Sequence, residues 1–146
     1  MIFAASAARE RQFLFWGAVS GFLTVALGAF GAHAVKDSLS AYHLGVFETG
    51  VRYQGMHALA TIVAAWVSGR RSGTLGPIAG WCFLAGTVFF SGSLYTLALS
   101  GVGAWGAVTP IGGVLWLVGW ACLALSAVKR RNVSVEIETE ERISAS

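Results

Sequence analysis

The chain has 146 residues, 55% hydrophobic and only 12% charged, with ten Lys or Arg against seven Asp or Glu. No soluble domain of this size needs so much apolar surface. The net charge of +3 does not imply a nucleic-acid partner, because no basic face interleaved with stacking aromatics accompanies it.

Charge is also confined. Residues 13–35, 53–69 and 72–128 contain no Asp, Glu, Lys or Arg. A hydrocarbon core of roughly 30 Å takes about 20 apolar residues as a helix, so the last of these runs must cross twice. Long apolar runs without alternation exclude the strands of a membrane barrel. The expected fold is therefore all-α, an integral membrane four-helix bundle with helices at about 13–33, 51–68, 77–99 and 109–128.

Residues 1–12 form an N-terminal segment with Arg9 and Arg11 ahead of helix 1. With the apolar run and Ala32-His33-Ala34 they imitate a secretory signal, but the run is longer than the usual 7 to 15 residues of such a signal. Helix 1 also carries Gly17, Gly21, Thr24, Gly28 and Gly31 at alternating intervals of four and three, one stripe of a helix. Small residues in such a stripe let a neighbouring backbone approach, the main source of helix adhesion in lipid.

Between helices 1 and 2, VKDSLSAYHLGVFETG spaces Leu39, His43, Val46 and Phe47 at helical intervals. It is expected to form a short interfacial helix on the outer surface, capped by Asp37 or Ser38. Helix 2 then presents Gln54, His57, Thr61, Ala64 and Ser68 on one stripe, and helix 3 presents Gly80, Thr87, Ser91 and Tyr95. The break before helix 4 is SGVGAWGAVTP, where Gly and Ser precede a Pro suited to a first helical turn. Helix 4 carries Gly112, Gly119 and Ser126 at sevenfold spacing. The bulky faces, with Phe13, Phe15, Phe22, Trp66, Trp81, Phe89, Trp116 and Trp120, would meet lipid or fill gaps. Residues 129–146 are acidic beyond Arg131, lack a core and are expected to form a mobile cytoplasmic tail.

Positive residues near helix ends are retained on the cytoplasmic face. Arg9 and Arg11, Arg70 and Arg71, and Lys129, Arg130 and Arg131 all fall on one side of four crossings, which puts both termini in the cytoplasm. The stretch FETGVRYQGMHAL, residues 47–59, then lies at the outer ends of the helices. Depth along each helix gathers His33, Glu48, Arg52, Tyr53, Gln54, His57, Ser91, Ser93, Tyr95 and Thr109 into a candidate polar pocket in the outer leaflet.

Four ordered motifs, GAFGAHAVKDSL, VFETGVRYQGMHALA, FSGSLYTLALSG and TPIGGVLWLVGW, carry a resemblance across about residues 15–128. They resemble the domain-of-unknown-function 423 family of bacteria, to which eukaryotic transmembrane protein 256 is similar. The resemblance implies a small four-helix inner-membrane protein. It implies no activity.

Chemistry is therefore weighed on the residues alone. The spacing of His33, His43 and His57 matches no metal signature, and the simpler reading leaves only His57 buried. A proton or solute path needs ionisable groups in both leaflets, and the cytoplasmic half has none. Ser91 or Ser93 with His57 and Glu48 could be drawn as a catalytic set, but no motif puts either serine on a strained turn. Glu48 and Arg52, one helical turn apart, are expected to pair. Cys82 and Cys122 lack CxxC spacing and read as small apolar fillers. The favoured reading is a non-catalytic protein without cofactor or metal, binding a lipid, small molecule or partner helix in the outer pocket. Self-association through spare glycine-rich surface is a further expectation. The alternatives are a transporter or channel for protons or a small solute, and a metal- or haem-binding membrane protein.

Overall fold

The computed structural model describes residues 2–71 and 73–128, with side chains from Ser6 onward. The tail expected at 129–146 lies outside the described residues. Four long helices make up the fold: α1 (Ile2–Phe30), α2 (Ala41–Arg70), α3 (Leu75–Ser100) and α4 (Thr109–Val128). A π-helical turn, Gly31–Val35, continues α1, and a 3-10 turn, Gly103–Ala107, precedes α4. Three helical segments are long and apolar enough to cross a membrane: Ser6–Val35, Leu75–Ser100 and Gly103–Val128. The α2 helix matches them in length but carries Glu48, Arg52, Gln54 and His57 along its N-terminal half and middle.

Two boundaries differ from the sequence reading. Helix α1 begins at Ile2 rather than near 13, because nothing in residues 2–12 breaks a helix. No separate interfacial helix forms between the first two long helices. Residues 41–50 are instead the first turns of α2. The chain turns at 36–40, where the amides of Ser38 and Leu39 both donate to the Val35 carbonyl. That uses up Asp37 and Ser38 in the turn, and the cap of α2 falls to Ser40, whose Oγ accepts from the His43 amide at 3.2 Å. At the same end of the molecule Gly101, with φ of 71°, closes α3 by donating its N–H to Leu97 O.

Each helix packs antiparallel on its neighbour in the chain, and among the described residues the backbones of α1 and α4 do not come close to each other. The bundle is thus open along one side, with α2 and α3 in the middle. The α1–α2 seam uses the small-residue stripe. A Cβ added at Gly17 would lie 2.8 Å from Ile62 Cγ1, one at Gly31 3.0 Å from Phe47, and Thr24 sits against Gly55. Gly21 is the exception, with open space beside it, because at that level Ser20 turns toward α2 and is buried. The α3–α4 seam is closer still. Gly86 faces Trp116, Gly112 faces the backbone of Phe90, and Gly119 faces Phe83. Ala60, Ala64, Ala79, Phe83 and Trp116 form the buried apolar cluster at the centre.

At the end of the bundle that carries Arg70 and Arg71, Phe13 is fully buried across Gly80, so that α1 reaches α3 there. Arg70 pairs with Glu10 at 3.4 Å and lies over the Trp66 ring. Arg71 donates to the Ser126 carbonyl, a cation on the exposed carbonyl end of α4.

Candidate functional site

The polar side chains expected to share one pocket do not form one. They form two hydrogen-bonded sets and an open groove.

The first set joins three helices through Gln54, 4% exposed. Its Nε2 donates to Ser20 O on α1 at 3.1 Å, and its Oε1 accepts from the Tyr95 hydroxyl on α3 at 2.8 Å. The ring of Tyr95 fits against Gly50, where a Cβ would come within 2.8 Å of it. Ser91, buried on the same face of α3, donates to the Gly50 carbonyl at 2.9 Å. Each of these side-chain bonds of Gln54 and Ser91 reaches a helix other than its own, which is how polar groups hold helices together where lipid offers no hydrophobic drive. Ser93 and Thr109 add a 2.8 Å hydroxyl pair between α3 and α4.

The second set surrounds His57, 3% exposed. Its Nδ1 lies 2.8 Å from Tyr53 O, and its Nε2 lies 3.3 Å from Trp120 Nε1. A carbonyl only accepts and an indole N–H only donates, so the bonds assign the ring proton to Nδ1 and leave Nε2 as the acceptor. The imidazole lies flat on Trp116, with ring centroids 3.6 Å apart and planes within 2°. Trp116 is itself fixed by donating Nε1–H to Phe83 O at 3.2 Å. Both imidazole nitrogens are occupied and one face is covered, so this histidine offers no free position to a metal or to a serine.

Of the remaining predicted residues Tyr53 joins the second set, with its ring stacked on Trp116 at 5.8 Å, while His33, Glu48 and Arg52 stay apart from both. His33 is exposed on the π-helical turn, and His43 bonds to Ser40 through Nδ1 at 3.1 Å. Among the described residues no three His, Cys, Asp or Glu side chains gather where a metal ion could sit. Tyr53 is partly exposed and lends its carbonyl to His57. Glu48 and Arg52, expected to pair, do not: among the described residues the one ion pair is Glu10 with Arg70. Both are exposed and stand at the rim of a groove between α1 and α2, of about 270 Å3. Its floor is Gly28, Gly31 and Ala32, and its wall is Phe47 and Val51.

Trp116 and Trp120, read from sequence only as bulky-face residues that meet lipid or fill gaps, complete the His57 site together with Phe83, which was not singled out. A signal was present. Trp116 and Trp120 are four apart on α4 and share a side of it, and an indole N–H usually finds an acceptor.

The hydrogen bonds give a direct expectation. Replacing Gln54 with Leu removes bonds to two neighbouring helices and should lower stability in detergent by on the order of 1–2 kcal/mol. Val63→Leu, on the exposed side of the same helix, should change it by a few tenths at most. Thermal unfolding of the two variants side by side checks this, and equal shifts would contradict the assignment of Gln54 to the interior.

The fold and the site together define a small polytopic helical protein whose polar interior is spent on helix-to-helix bonds. The comparisons with known proteins agree. A family model described as protein of unknown function (DUF423) matches residues 27–113. The chain is 46% identical over 135 residues to the UPF0382 inner membrane protein YgdD of Escherichia coli (strain K12), covering 87% of this chain and 98% of that one. It is 42% identical over 121 residues to the UPF0382 membrane protein YwdK of Bacillus subtilis (strain 168), covering 82% and 98%. A UPF0382 membrane protein of Staphylococcus epidermidis is 44% identical over 119 residues, covering 82% and 97%. No solved structure matches. The chain belongs to the DUF423 family.

Proposed function

We propose that this is a non-catalytic protein of the bacterial inner membrane, crossing it four times with both termini in the cytoplasm, and that it binds an amphiphile in the outer-leaflet groove between α1 and α2. The observation that carries the reading is a division of labour among the polar side chains. Gln54, His57, Ser91, Ser93, Tyr95 and Thr109 are bonded within the bundle, while Glu48 and Arg52 stand unpaired beside an apolar slot. Groups of the first kind hold a structure; groups of the second kind are free to hold a ligand.

Orientation rests on charge. Arg9, Arg11, Arg70 and Arg71 mark the cytoplasmic end. Along α2, Arg52 stands about 27 Å from Arg70, which places the groove near the outer edge of a hydrocarbon core of roughly 30 Å. Helix α2, too polar to qualify as a span on its own, crosses with its polar stripe packed between α1 and α3 and its apolar Met56, Leu59, Val63 and Trp66 exposed. A transport route would have to pass Ala64 and Gly119. There Ala64, Ala79 and Phe83 are fully buried, and Gly119 lies against the Phe83 ring.

Two measurements test the reading. A reporter fused after Ser146 should be active only in a cytoplasmic form, and activity of a periplasmic reporter would overturn the topology. Protein purified in mild detergent should carry a co-purifying amphiphile visible by native mass spectrometry. Gly28→Leu should remove it. A Cβ at Gly28 stands 3.5 Å from Val51, an ordinary contact, so a side chain can start into the groove there, and an unchanged unfolding temperature of the variant would show that the helices stay together. An adduct unchanged in that variant would remove the groove from consideration.

A further inference from the structure

The groove has a charge pattern that selects among amphiphiles. Glu48 and Arg52 lie one helical turn apart on α2, both exposed, and neither makes an ion pair or hydrogen bond with another described residue. Opposite charges at this spacing ordinarily face each other on an isolated helix. Here they flank an apolar slot of about 270 Å3, smaller than the pockets of roughly 300 Å3 and above that enclose whole drug-sized ligands. A slot this small and open holds only part of an amphiphile, and the two charges beside it are the groups that can meet a head group.

We propose that this groove binds the head group of a phospholipid carrying a primary amine, with the phosphate on Arg52 and the ammonium on Glu48. The proposal rests on the binding reading above and deepens it. A guanidinium offers paired N–H donors matched to phosphate oxygens. A carboxylate only accepts, so it prefers a cation that brings N–H donors of its own. The two rim charges cancel, which matches a zwitterion and disfavours a head group with net negative charge. An ethanolamine bridge places its two charges a short carbon arm apart, comparable to the roughly 5–6 Å between neighbouring side chains one turn apart.

A quaternary ammonium is recognised differently, by open aromatic faces around it. The groove has none to give. Its aromatic wall residue, Phe47, is 1% exposed and packed against Gly31, Phe30 and Tyr95. Depth agrees as well, since Arg52 sits near the outer edge of the hydrocarbon core, where lipid phosphates begin. The floor glycines, Gly28 and Gly31, bring α1 close enough to α2 for the slot to stay shallow and open.

The test uses the full chain, delipidated in mild detergent and titrated with dioleoyl phosphatidylethanolamine, phosphatidylcholine or phosphatidylglycerol, with retained lipid read by native mass spectrometry. Phosphatidylethanolamine should be retained roughly tenfold better than either of the others. Glu48→Gln should erase the preference over phosphatidylcholine, and Arg52→Ala should weaken all three. Both side chains are on the surface, so both variants should keep the wild-type unfolding temperature. Equal retention of the three lipids, lost in Gly28→Leu, would overturn the head-group assignment while leaving the binding reading intact. Retention of none, or retention indifferent to Gly28→Leu, would overturn both. Displacement of the lipid by free phosphoethanolamine at equal concentration would overturn the assignment to a lipid and point to a soluble ligand of the same chemistry.

Discussion

Adding one methyl group at Gly112 should cost about 3 kcal/mol, the upper end of the range for overpacking a close-fitted interior. The neighbours of that methyl are the backbone nitrogen of Phe90 and the carbonyl oxygen of Gly86, on the facing helix. Neither can rotate aside, so α3 and α4 must separate along the whole seam. Separation would in turn loosen Trp116 over Gly86 and Phe83 over Gly119, and stretch the Ser93–Thr109 hydroxyl pair. The matched control is Gly21→Ala, where the same atom meets open space. It should be neutral or gain up to about 1 kcal/mol from helix propensity. Thermal unfolding of both alanine variants in one detergent decides the matter, and similar midpoints would mean that the seam is softer than its geometry.

His57→Ala should be about as damaging, at roughly 3 kcal/mol. It vacates a buried space beside Trp116, removes a stacked contact and strands the Trp120 indole N–H. Trp120→Phe keeps most of the ring volume and should cost about 1 kcal/mol. The informative quantity is the double variant. If Trp120 and His57 act through one hydrogen bond, the second change should cost less once the first is made, by about 0.5 kcal/mol or more. Strict additivity would show that the 3.3 Å contact contributes nothing.

The two variants touch parts of the molecule that differ in how far sequence could reach them. Gly112 and Gly119 could be picked out from sevenfold spacing on an apolar helix, because a helix has a fixed period and glycine has one obvious use in lipid. Gln54 and His57 could be placed in the interior for a similar reason, as polar residues on an otherwise lean stripe. The pairing of Glu48 with Arg52 was a local inference and failed. Spacing on one helix says that two side chains can meet, and the groove floor on α1 gives each of them another direction to face. Ser40, rather than Asp37 or Ser38, caps α2 because the turn closed by the Val35 carbonyl consumes the earlier positions.

The amino-acid order alone determined the helical class, the family, the small-residue faces of the helices and the lopsided placement of polar groups. All of these follow from period, composition and the cost of exposing a backbone to hydrocarbon. Tertiary structure decided the partners. That His57 lies between Trp116 and Trp120, that Gln54 bridges Ser20 to Tyr95, and that α1 and α4 stay apart depend on how antiparallel helices slide and rotate against one another. Those rotations are settled by many weak contacts summed over entire seams, and no short stretch of sequence contains the sum.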